Sequence, residues 1–419
     1  ETDVFRPIHI SGERIIMFFT HVQSPFDTLT LVLPTTDNRY ISNRCTNDDC
    51  MNTDQLNHRQ DRIEAFLDTE SIDAVWFARP QNFTWITGGS NVVDHTASVG
   101  VAAAGYTRND GFVCITTNIE AERLRAEELP DEFTVISYEW YEQSLNAAVA
   151  MYTPTASVAD FDLPGAKQTA GDQLRRPLAA SDIQPYQEVS HEVATTIERV
   201  AKEIEPGDTE QEVAAALNAT HAARGINTPV ILVGKCDRVS TCRHFIPTMA
   251  TIDSCVTISV TAERNGRHVS ATRTVAFEES ILRRLREHHD MAMRVEVTAL
   301  DATREAARND GTAADVFDAI SDAYETLGES DEWRKHHHGG ATGFMGREWI
   351  ATPDSNEKIE SPLAYAYNPT VHQAKSEDTA LLIDDTIEVV STTDNWPTQR
   401  VTSCQSSFGI DRHKVLDAS

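Results

Sequence analysis

The side chains in the second half of this 419-residue chain that could do chemistry are an imidazole, one isolated carboxylate and several guanidinium groups. His244 lies in Arg243-His-Phe-Ile-Pro-Thr248 and Glu377 in Lys375-Ser-Glu-Asp-Thr379, with Arg347-Glu348 and Asn368-Pro369 between them. An imidazole titrates near neutrality, so it can shuttle a proton without a metal, and Pro247 stiffens the loop that carries it. Glu377 could orient His244 or grip a cationic substrate group. Arg243, Arg273 and Arg347 could form a wall for a substrate carboxylate, since guanidinium pairs bidentately with that group. Plainer readings stand beside these. A histidine next to Phe and Ile is often packed and hydrogen-bonded, Arg273 would neutralise Glu377 or Asp378, and Glu348 is either a general acid or an arginine's structural partner. His336-His337-His338 would place one imidazole in the cavity, taken as His338, and leave the other two in solvent. Asn368 hydrogen-bonds but does not titrate. Ser259 and Ser270 are weak nucleophiles, because no base–orienter pair is evident for either.

In order and spacing these segments, with residues 258–274 and His338-Gly-Gly-Ala-Thr-Gly-Phe-Met-Gly-Arg-Glu348, resemble the aminopeptidase P, prolidase, methionine aminopeptidase and creatinase family. The resemblance implies a small creatinase-type α/β domain followed by a "pita-bread" α/β catalytic domain. In that family's peptidases two Asp, one His and two Glu hold two divalent cations. Matched to the motifs, the Asp positions read Ser259 and Ser270, eleven apart, and the His position reads Gly340. The Glu positions read Asn368 and Glu377, so one carboxylate remains. Hard divalent cations need several anionic oxygens, so no metal and no cofactor are expected. His244 matches the histidine that touches substrate in the family and is the principal acid/base of its metal-free branch. The reading is a metal-independent hydrolase with His244 and Glu377 as catalytic pair, cleaving a C–N bond (amide or amidine) in a small polar substrate. Arg243, Arg273, His338, Arg347, Glu348 and Asn368 are the expected substrate contacts. Creatine is not the expected substrate, because that branch has Glu where Thr272 and Asn368 stand. Two alternatives remain: an Xaa-Pro aminopeptidase or dipeptidase whose metals are held by other residues, and an inactive peptide-binding pseudoenzyme. The resemblance also implies a homodimer acting on a small-molecule or short-peptide substrate.

The formal charge of −29 and pI of about 4.8 argue against nucleic acid and anionic membranes as partners. Of the 36 basic residues 7 are Lys, and acidic excess with scarce Lys suits a salt-rich cytoplasm, where self-repulsion is screened. The seven cysteines form no closely spaced framework and are read as reduced and intracellular, with no zinc at Cys236, Cys242 and Cys255. No apolar run reaches membrane-spanning length, and no basic-then-apolar leader follows Glu1.

The elements that must position the site divide the chain into an unpatterned extension (1–55), an N-terminal domain (56–183), the catalytic domain (184–399) and a tail (400–419). Strands are expected at 15–19 and 29–33. In the N-terminal domain, a helix at 54–67, a buried strand at 72–77 and an aromatic turn at 82–89 precede strands at 111–116, 133–137 and 157–160. In the second, amphipathic helices are expected at 192–203, 282–299 and 312–327, with Thr209 capping a helix that includes Glu212.

Overall fold

The computed structural model describes residues 51–419. The strands expected at 15–19 and 29–33 lie outside the described residues. The helix Thr53–Glu70 starts at Asn52, whose side chain accepts from the Gln55 N–H while the Gln55 side chain returns to the Asn52 N–H. Its buried face carries Leu56, Ile63, Phe66 and Leu67, the residues whose spacing predicts it. Strands β1 (Ala74–Phe77), β2 (Ala102–Thr107), β3 (Gly111–Thr117), β4 (Thr134–Tyr138), β5 (Ser157–Ala159) and β6 (Lys167–Gln168) form a six-stranded mixed sheet in the order β4-β3-β2-β1-β5-β6. β1 is buried along its whole length because it lies inside this sheet, antiparallel to β2 and parallel to β5. The segment read as a turn at 82–89 is instead the helix Pro80–Thr87. Pro80 begins it with a preset φ, and Gly88 ends it at φ 79°.

The helix Ala180–Glu203 leads into the second half, starting well before residue 192. Thr209 caps the helix Glu210–Ala222 in a reciprocal pair with Glu212, as expected. β7 (Asn227–Lys235), β8 (Cys255–Arg264) and β9 (Arg267–Ala276) follow as an antiparallel run. β10 (Gly339–Thr342), β11 (Leu363–Tyr367), β12 (Thr370–Val371), β13 (Ala374–Lys375), β14 (Asp378–Ile383) and β15 (Thr386–Val389) make a second four-stranded sheet, β10-β11-β14-β15, and the β12–β13 hairpin. The helix Glu279–Arg308 packs on strands of the second half, and the helix Ala313–Thr326 packs on that helix.

Two expectations are corrected here. Residues 400–419 are not a loose tail. β16 (Thr398–Thr402) and β17 (Gly409–His413) form a hairpin, and β18 (Leu416–Asp417) adds to β9 in parallel. Arg412 from this segment is fully buried and donates to Glu296 at 2.6 and 3.0 Å and to Asp378 at 2.6 Å. The strands are short and charged, and their partners are distant in sequence, so no local alternation announces them. The thiols are not all reduced either: Cys236 and Cys255 form a disulfide, because β7 and β8 pair through Lys235 and Val256 and leave the flanking cysteines side by side.

The guanidinium of Arg412 answers carboxylates that burial would otherwise penalise. Arg412→Ala therefore leaves Glu296 and Asp378 under-compensated and should cost about 3–5 kcal/mol of unfolding free energy, measurable by urea denaturation. A loss below about 1 kcal/mol would show that the network is dispensable. Burial also pushes His221, His338 and His413 down from 6.5 to about 4 each, so all three are neutral when folded at pH 7. The unfolded chain binds these protons first. Stability should therefore drop as pH falls from 6.5 toward 4, and a flat melting temperature across that window would contradict the assignment.

Candidate functional site

The site is built on the β8–β9 pair, where Ser259 lies opposite Thr272 and Thr261 opposite Ser270. Residues two apart share a face, so four hydroxyls project together. The chain running from β13 to β14 passes alongside, with the Thr272 N–H donating to the Glu377 carbonyl at 2.9 Å. This lays the Glu377 side chain over the hydroxyls. Its Oε2 accepts from Ser259 Oγ at 3.1 Å, Thr272 Oγ1 at 2.9 Å and Lys375 Nζ at 2.8 Å. Its Oε1 accepts from Arg347 at 3.0 Å. Lys375 Nζ also donates to Ser259 Oγ at 2.8 Å, and Arg347 to Ser270 Oγ at 3.2 Å. Burial pushes the Glu377 carboxyl up, but Lys375 and Arg347 more than offset it and hold the group below the usual carboxylate range. The result is a compact cluster of one anion, two cations and several hydroxyls. Ser259 Oγ already has three partners, so it is an anchor and not a free nucleophile.

Of the residues expected to act, Arg347 and Glu377 meet in this cluster. Asn368 follows the Tyr367–Asp378 register pair, which places it opposite Glu377. Its backbone N–H bonds to the His338 carbonyl, and its Oδ1 is buried without a partner. His244 is exposed on its loop, with its ring 6.5 Å from that of His337. Among the described residues no hydrogen bond joins His244 to Glu377, so the expected direct pair is replaced by the four donors above.

The histidine run is corrected too. His337 is the imidazole that lies within the fields of Arg347, Glu377, His244 and Lys375. His338 is buried against Tyr324, with Nε2 3.0 Å from the Trp333 carbonyl. His336 is half-buried, and that burial pushes its imidazole down to about 2.

Three further contacts are structural. Arg273 is completely buried and donates to Glu198 at 2.8 and 3.1 Å and to Asp378 at 2.9 Å, so it cannot meet a substrate. Glu348 pairs with Arg175 at 2.6 Å, both buried. Arg243 spans to Glu332 and to the His372 carbonyl, each at 2.7 Å. The three arginines therefore form no single wall.

The sequence reading missed Lys375, Thr272 and His337. Lys375 stands two positions before Glu377, on the run from β13 to β14, where the fold brings both onto the hydroxyl platform. A cavity of about 640 Å³ also opens near the site, lined by Arg243, Arg284, His288 and His372 among others, and the Glu377 cluster takes no part in its lining. Among the described residues, the one group of His, Cys, Asp or Glu with ligand atoms within 4.8 Å of one another is Glu329, Glu332 and His372. Glu332 there is already paired with Arg243 and Lys335.

Comparison with known proteins agrees with this architecture. The profile of Metallopeptidase family M24 matches residues 185–390, and that of the Creatinase/Prolidase N-terminal domain matches residues 59–163. The chain belongs to the aminopeptidase P/prolidase/creatinase family of hydrolases, with a creatinase-type N-terminal domain followed by a pita-bread domain. Prolidase from Pyrococcus furiosus is similar in structure at a TM-score of 0.63 and 18% identity, covering 79% of this chain and 99% of its own. Xaa-Pro dipeptidase from Bacillus anthracis gives 0.64 and 14%, covering 81% and 98%. The N-terminal domain of the FACT complex subunit SPT16 from chickpea, Cicer arietinum, gives 0.56 and 13%, covering 80% and 96%. No curated protein sequence matches the chain. Among the described residues no helix is long and apolar enough to cross a membrane.

Lys375→Met tests the cluster directly. It removes one of two cations from a buried carboxylate, so Glu377 should titrate at higher pH, and the stability this ion pair adds above the carboxylate range should fall by about 3–5 kcal/mol. Unfolding curves at neutral and acidic pH check this. The loss must shrink as pH falls through the carboxylate range, and a loss independent of pH would deny Glu377 its charge.

Proposed function

We propose that the chain is a metal-independent hydrolase of the aminopeptidase P/creatinase kind that cleaves the C–N bond of a small polar amide or amidine. The observation that carries this reading is the pair of side-chain cations on Glu377. Two divalent ions do not fit the donors present. The five inherited positions hold Ser259, Ser270, Gly340, Asn368 and Glu377, and both Glu377 oxygens are engaged by Lys375 and Arg347. Gly340 leaves no room for a ligand side chain, since a Cβ there would meet the Trp349 carbonyl at 2.2 Å. Lys375 and Arg347 instead supply fixed positive charge where a reacting carbonyl or amidine develops negative charge. Arg347 Nε is buried without a partner and Lys375 uses two of its three N–H groups, so donors remain for that charge.

His244 and His337 at the mouth are the proton carriers. One imidazole takes a proton from water as the oxygen attacks the carbon, and the imidazolium returns a proton to the departing nitrogen as the C–N bond breaks. A homodimer in a salt-rich cytoplasm suits the charge of −29 and the relatives. A second reading, a peptide-binding member without turnover, is favoured by one feature: every oxygen of Glu377 is already satisfied and the group is buried.

The decisive experiment follows amine release from N-acyl amino acids, dipeptides and amidines, with and without chelator, alongside elemental analysis. Turnover indifferent to chelator, and reduced about 10²-fold or more in His337→Ala or His244→Ala, is the expected result. About two bound transition ions per chain would overturn it in favour of a metallopeptidase. Saturable peptide binding with no release would establish the second reading.

A further inference from the structure

The cavity of about 640 Å³ has the size of a small-molecule site and is not part of the Glu377 cluster. One wall is a face of the helix Glu279–Arg308, where Ile281, Arg284 and His288 follow at helical spacing. Facing it are the short helix Cys236–Thr241 and the His372-Gln373 turn. Most of its charges are already answered. Asp237 and Asp253 lie 3.5 and 3.1 Å from Lys235 Nζ, while Arg243 and Lys335 both reach Glu332, at 2.7 and 2.6 Å. Arg284 is different: among the described residues it takes part in no ion pair or hydrogen bond. One turn further along, His288 Nδ1 is buried without a hydrogen-bond partner, and the ring lies 4.5 Å from that of His372. A guanidinium with no ion pair and an imidazole whose Nδ1 has no partner, four residues apart on one helix face, form a two-point donor site for an oxyanion.

We propose that this cavity binds a small anion, a carboxylate or a phosphate, between Arg284 and His288. The site does not depend on the hydrolase reading, but it borders the catalytic cluster through two short links. Arg243 lines the cavity and the next residue, His244, lies beside His337. Gln373 lines it and Lys375, two residues on, holds Glu377. An occupant would therefore act on the placement of His244 and Lys375.

The ionic surroundings of His288 give the binding a pH signature. Burial lowers its pKa most, His372 and Arg284 lower it further, and Gln373 and Glu329 oppose them. A bound anion favours the imidazolium, so acetate should bind more tightly as pH falls from about 7.5 to about 5.5.

The test is calorimetric titration of the full chain, in low-chloride buffer, with inorganic phosphate and separately with acetate, while histidine-selective NMR follows His288. The proposal expects saturable binding of at least one anion, a shift of the His288 resonance, and a loss of about tenfold or more in Arg284→Ala. Arg284 is exposed on its helix, so that variant should fold. Binding of phosphate alone or acetate alone assigns the anion class. No saturation with either up to about 50 mM, a range that covers weak single-anion sites, or undiminished affinity in Arg284→Ala, overturns the proposal. Because neither readout uses turnover, a failed hydrolase assay leaves this result intact.

Discussion

A buried carboxylate must be answered by charge or give up its own, and Glu377 meets that constraint with Lys375 and Arg347. The two cations arrive from different elements, one from the hairpin before β14 and one from the loop after β10. The carboxylate therefore ties the second sheet to the β8–β9 platform. Ser259, Ser270 and Thr272 complete the tie through hydroxyls, which can donate and accept and so adapt to whichever charge lies next to them. Here the cations are covalent parts of the chain.

The next residue faces the other way. Asp378 turns into the core, where Arg273, Arg412 and His413 surround it and hold its carboxyl well below the usual range against the cost of burial. Glu198 and Glu296 share those arginines, and burial pushes Glu296 up to about 7. Alternation along a strand thus divides two adjacent acids between two tasks, one at the site and one in the scaffold. The final hairpin matters for this reason: without Arg412 the scaffold's half of the division would carry uncompensated charge, and without His413 the Asp378 carboxylate would lose a hydrogen-bond partner.

Much of the framework was legible in the sequence because its signals are local. Thr209 with Glu212, the apolar stripe of the first helix, and the strands at 111–117 and 134–138 each announce themselves within a few residues. The inherited motif positions could also be read, since their spacing follows strand and turn geometry. The partners of those positions could not. Whether Arg273 faces a substrate or Asp378, whether Glu348 acts as an acid or holds Arg175, and which of three consecutive histidines faces the cluster depend on residues dozens to hundreds of positions away. The Cys236–Cys255 bond and the burial of the last hairpin have the same long-range origin.

What the chain by itself determined is its family, its succession of elements and the chemical types at the motif positions, for these follow from residue identity and short-range periodicity. Only the tertiary structure decided that Lys375 joins Arg347 on Glu377 and that His244 neighbours His337. Electrostatic pairing in a low-dielectric interior is set by which distant segments the sheets bring within about 3 Å, and no pattern along the chain encodes that distance.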